Sequence, residues 1–106
     1  MKKDDIDRLD HEMHLLVDYL LEIREKNGNA ELALRNFQHY IELLKHDIPR
    51  ARYALSYAIG GKGIYDSYWT PEQQKRIDRH TVSIARILQD SYDPQEDFLK
   101  IREKST

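Results

Sequence analysis

Cysteine is missing from this 106-residue chain, and with it go every disulfide framework, thiolate nucleophile and thiolate metal site. A reducing compartment suits it. No apolar run approaches the roughly 18 residues that a membrane-spanning helix needs. The opening Met1-Lys2-Lys3-Asp4-Asp5 leads into an amphipathic pattern, not into the apolar block of a signal peptide. A cytoplasmic protein with no membrane partner is expected. Glycine and proline are scarce too, at four and three residues, so their positions mark the breaks between elements. Gly60, Gly61 and Gly63 fall together, and each proline stands at the start of an expected helix.

What is present has globular proportions, with 34% charged and 40% hydrophobic residues. A chain of this length forms one core and one domain, residues 1–106. The net charge of −2 gives little attraction to nucleic acid. It is unevenly spread, however. Residues 35–62 carry five bases (Arg35, Lys45, Arg50, Arg52 and Lys62) against two acids (Glu42 and Asp47), and this basic stretch runs into an aromatic, glycine-rich loop.

Helical three-and-four spacing of Ile6, Leu9, Met13, Leu16, Val17, Leu20 and Ile23 predicts a first helix over about 4–26. Asn27-Gly28-Asn29 ends it, with Gly28 supplying a left-handed turn and Asn29 capping the next helix. That helix, about 30–46, carries Leu34, Phe37, Ile41 and Leu44. Asp47-Ile48-Pro49 then reads as a cap followed by a first-turn proline, opening a third helix over 48–59 with Ile48, Ala51, Leu55, Ala58 and Ile59 inward. Thr70-Pro71-Glu72-Gln73 is a capping box that starts a fourth helix over 71–91, with Ile77, Ile84, Ala85 and Leu88 inward. Asp93-Pro94 repeats the logic for a short helix over 94–103. The expected fold is all-α, a compact bundle of four main helices plus this short C-terminal one.

The loop over 60–70 is the candidate site. Tyr53, Tyr57, Tyr65, Tyr68 and Trp69 lie in it or just before it, together with Arg50, Arg52, Lys62 and Asp66. Aromatics with arginine compose protein-interface hot spots, and such rings also stack on single-stranded bases. The alternative is that several of them close the core, with tyrosine hydroxyls reaching the surface. Arg50, Tyr53 and Tyr57 share one side of the third helix by their i, i+3, i+7 spacing, so that side is offered either to the bundle or to a partner. Gly60-Gly61-Lys62-Gly63 exposes backbone N–H groups to an anion, yet lacks the length, the closing Gly-Lys-Ser/Thr and the preceding strand of a phosphate-binding Walker loop. A glycine stop and turn is the plainer account.

Asp7, His11, His14 and Asp18, at steps of four, three and four, stack on one face of the first helix in a pattern that suits zinc. The face lies opposite the apolar stripe, whereas bundle metal sites project inward. A solvated row is the plainer reading, and neither a metal nor a cofactor is expected. Arg35 before His39 and Arg76 before His80 resemble the Arg-x4-to-6-His signature of helical HEPN ribonucleases, each one residue short. The shorter spacing moves the histidine to another helix face, so no catalytic residue carries over. A small helical nuclease or metal-dependent hydrolase using histidines remains the enzymatic alternative. A regulatory subunit that binds RNA or a phosphate ligand through the basic segment is the third.

The run Ile48-Pro49-Arg50-Ala51-Arg52 into Gly60-Gly61-Lys62-Gly63, then an aromatic and Asp66, resembles small all-helical bacterial immunity proteins of polymorphic toxin systems over about residues 48–69. The resemblance implies a cytoplasmic, non-enzymatic protein that binds and neutralises one cognate toxin. The expected partner is therefore a protein, with a homodimer open as well. Nucleic acid is the lesser alternative.

Overall fold

The computed structural model describes residues 1–60 and 64–91, with Asp66 placed by its backbone alone. The apolar stripes become four helices, α1 (Lys3–Ile23), α2 (Asn29–His46), α3 (Ile48–Ile59) and α4 (Pro71–Asp90), and one 3-10 turn, Ile64–Asp66, precedes α4. α1 packs on α2 and α4, and α3 on the same two. The result is a closed ring in which consecutive helices run antiparallel and α1 and α3 take opposite corners. The fold is all-α. The expected helix over 94–103 lies outside the described residues.

Leu9, Met13, Leu16 and Leu20 of α1 meet Phe37 of α2, Leu55 of α3 and Ile77 and Ile84 of α4 in a single core, all essentially without solvent contact. Each such side chain contributes roughly 1.5–3 kcal/mol by leaving water. Two expectations need correction. Ala85 is exposed, because the inward row of α4 runs Gln73, Ile77, Thr81, Ile84 and Leu88 and leaves Ala85 one position beyond it. Arg52 is buried, only 4% exposed. Its Nη1 donates to Ser91 Oγ at 2.7 Å and its Nη2 to the Leu88 carbonyl at 2.8 Å. A guanidinium thus meets the C-terminal carbonyls of α4, where the helix leaves acceptors unpaired and the dipole is negative.

α1 stops three residues earlier than its periodicity suggests, since the Lys26 and Asn27 amides both turn back to the Ile23 carbonyl. The following turn corrects the expected roles of its residues. Gly28 is right-handed, with φ −61° and ψ −23°, so its left-handed freedom is unused. Asn29 does not cap α2 but begins it: Gly28 stands at the N-cap with no side-chain cap, and Asn27 Oδ1 accepts from the Asn29 amide at 3.0 Å. The reversal from α2 to α3 takes one residue, Asp47, whose N–H donates to the Leu43 carbonyl while its side chain accepts from the Arg50 amide. The capping box of α4 forms as expected, with Gln73 N donating to Thr70 Oγ1 and Thr70 N to Gln73 Oε1. Gly60 is needed for space. A Cβ there would stand 2.8 Å from the Ser56 carbonyl oxygen.

Asn27→Ala removes three side-chain hydrogen bonds and should lower stability by about 2 kcal/mol. Gly28→Ala, at a right-handed position with no atom within 4 Å of the added methyl, should raise it by about 0.5 kcal/mol. Gly60→Ala should lower it by about 1 kcal/mol or more. Urea midpoints at unchanged m-value rank the three. A Gly28→Ala protein less stable than Gly60→Ala would contradict these backbone assignments.

Candidate functional site

The aromatic loop divides into an inward and an outward half. Trp69 is 5% exposed, and its indole N–H donates to the Ile64 carbonyl at 2.6 Å, closing the loop on itself. Tyr65 is half-buried. Its hydroxyl donates to Asp78 Oδ1 at 2.7 Å and lies 2.6 Å from Thr81 Oγ1. Burial first, and the Asp78 carboxylate after it, push this phenol up to about 12 even though the Thr81 bond works the other way. Trp69 and Arg52 therefore belong to the core, not to the contact surface expected for them, and Tyr65 serves as an anchor to α4. The indole N–H and the guanidinium needed buried acceptors, and the loop and the end of α4 supply them.

Tyr68 faces the other way, 74% exposed, while its carbonyl accepts from Asn27 Nδ2 and Asn29 Nδ2, both at 3.1 Å. Tyr53 and Tyr57 project from the outer side of α3, 67% and 60% exposed, with exposed Arg50 one turn before them. Ala58 and Ser67, the chain neighbours of Tyr57 and Tyr68, line one cleft of about 20 Å³ with Asn36, Tyr40 and Ile64. Leu32 lines it as well and is 62% exposed. Leu32, which the sequence reading did not single out, is thus exposed beside this depression. Leu32 stood out of phase with the α2 stripe, which was the available signal. Lys62 and the Asp66 side chain lie outside the described residues.

The basic segment is largely neutralised where it is described. Arg35 pairs with Glu31, Lys45 with Glu42 and Arg50 with Asp47, all at 3.4 Å, and Arg52 is buried. Little of the +3 charge is left as a stripe for a phosphate backbone. Asp7, His11, His14 and Asp18 are all solvent-exposed on α1, and His14 Nδ1 lies 2.8 Å from the Asp10 carbonyl. Among the described residues no three His, Asp or Glu side chains converge to hold a metal. The two Arg/His pairs also diverge. Arg35 turns to Glu31, whereas Arg76 lies 5.1 Å over the Tyr19 ring and His80 faces Glu12 at 3.7 Å.

His80, singled out in the sequence only by its spacing from Arg76, is the histidine whose titration the fold alters. Its Nε2 is buried without a hydrogen-bond partner, and burial holds its pKa below the ordinary value, outweighing the nearby Glu12 carboxylate, while Arg76 and Arg79 add to the lowering. No family model, curated protein or solved structure matches the chain. Function must therefore be argued from this surface itself.

Because the native His80 resists protonation, the unfolded chain takes up the proton first as the pH falls past about 6.5. The neutral imidazole contributes stability that is fully present above that pH and declines as the pH drops toward the lower native pKa. His80→Gln should flatten the loss of stability between about pH 7 and pH 5, read from denaturant midpoints at each pH. An unchanged slope would remove His80 as its source.

Proposed function

We propose that the chain is a non-enzymatic protein-binding module, and that its partner is a toxin it neutralises, as in immunity proteins. The observation that carries the reading is the set of outward rings. Tyr53, Tyr57 and Tyr68 are each more than half exposed, and Tyr68 is fixed through its carbonyl by two asparagine amides. Tyrosines held on rigid backbone supply large contact area at little entropic cost, which is the composition of an interface centre. Leu32, 62% exposed, adds an apolar spot to the surface. Arg50, tethered to Asp47, stands at the rim and suits an acidic group on the partner. The specific immunity role rests on the resemblance of residues 48–69.

A Tyr53→Ala/Tyr57→Ala/Tyr68→Ala variant should melt within about 1 kcal/mol of wild type, since none of the rings is in the core. It should lose one stoichiometric partner that the wild type captures from its source cells, with affinity falling at least about a hundredfold. Trp69→Ala, by contrast, should lose roughly 3–5 kcal/mol of stability. The immunity role further requires that the captured protein arrest growth when expressed alone and be harmless beside the wild type. A partner held equally by the folded triple variant would remove this surface from the function. A partner without toxicity would remove the immunity role.

A further inference from the structure

Across the bundle from α3, the C-terminal half of α1 and the first half of α4 enclose a cleft of about 360 Å³. Lys26, Lys75, Arg76 and Arg79 line it together with Glu22 and Glu72, giving two net positive charges. Arg8, Arg35, Lys45 and Arg50 each have a carboxylate within 4.0 Å, whereas among the described residues none of the four in the cleft has an acidic partner at that distance. Lys2, Lys3, Arg24 and Arg86 are also without a carboxylate within 4.0 Å among the described residues, and what sets this place apart is that four such cations line one cleft. Arg76 is held over the Tyr19 ring at 5.1 Å, an arrangement that positions its guanidinium without consuming its charge.

We infer that this cleft binds a small phosphate monoester that also carries hydroxyl or amino donors, of the nucleotide or sugar-phosphate class. Convergent unpaired cations match a doubly charged phosphate, and arginine adds a planar fork suited to its oxygens. Inorganic phosphate alone would meet Glu22 and Glu72 unfavourably. A ligand whose body offers O–H or N–H groups turns the same two carboxylates into acceptors, so the mixed charge selects an ester over the free anion. The volume falls within the range of small-ligand pockets. The site is separate from the tyrosine surface and stands or falls independently of it.

The test is calorimetric titration at low ionic strength with two probes, adenosine monophosphate and inorganic phosphate, on three proteins. These are the wild type, Lys75→Gln/Arg79→Gln, and an Arg8→Gln/Arg35→Gln control that removes the same charge elsewhere. All four positions are exposed, and melting curves check folding. The expected result is saturable nucleotide binding to wild type and control, weakened about tenfold or more in the cleft variant, with inorganic phosphate weaker throughout. Absence of saturable binding to the wild type, or an equal loss in both variants, overturns the site. Equal affinity for the two probes overturns the ester assignment.

Discussion

The side-chain amide of Asn27 joins parts of the chain that are otherwise separate. One Nδ2 donates to the Tyr68 carbonyl and to Gln73 Oε1, and the Oδ1 accepts from the start of α2. Gln73 Oε1 in turn takes the Thr70 amide. The turn between α1 and α2, the loop before α4 and the first turn of α4 are thereby one hydrogen-bonded assembly at one end of the bundle. Such an end would otherwise be two independent connections with several exposed donors and acceptors. The outward direction of Tyr68 follows from this assembly, because the carbonyl beside it is committed inward.

Charge is handled differently at each corner of the ring. Beside α3 the cations are matched by carboxylates a turn away, so the surface offers rings with little net field. Along α1 and α4 the cations collect unmatched around a cavity. Arg52 is a third case, a cation drawn inside to meet helix carbonyls, which ties α3 to the end of α4. A formal charge count cannot separate these cases, since each depends on which acceptor lies within reach.

The helices and most of the core were legible because they rest on periodicity and local capping. Leu9 through Ile23, Phe37, Leu55 and Ile77 follow the stripe, and the Thr70/Gln73 and Asp47 caps are fixed by residues within three positions of one another. The site was only half legible. Trp69 and Tyr68 are adjacent and both aromatic, and what sends one inside is an acceptor at Ile64 while two distant asparagines hold the other's carbonyl. Arg52 read as a surface base because its acceptors, Leu88 and Ser91, lie 36 and 39 positions away. Asn27 read as turn filler for the same reason: its partners sit 41 and 46 residues downstream.

The reversal at Asp47 also bears on whether two copies of the chain can exchange segments. If that residue straightened, α2 and α3 would join as one rod and pass the second half of the bundle to a neighbour, the usual route to a swapped dimer. Pro49 blocks the rod. It has no N–H to offer the Lys45 carbonyl, and its ring collides with that carbonyl in a continuous helix. A proline that is harmless in the first turn of α3 thus disfavours the continuous helix on which such an exchange would depend.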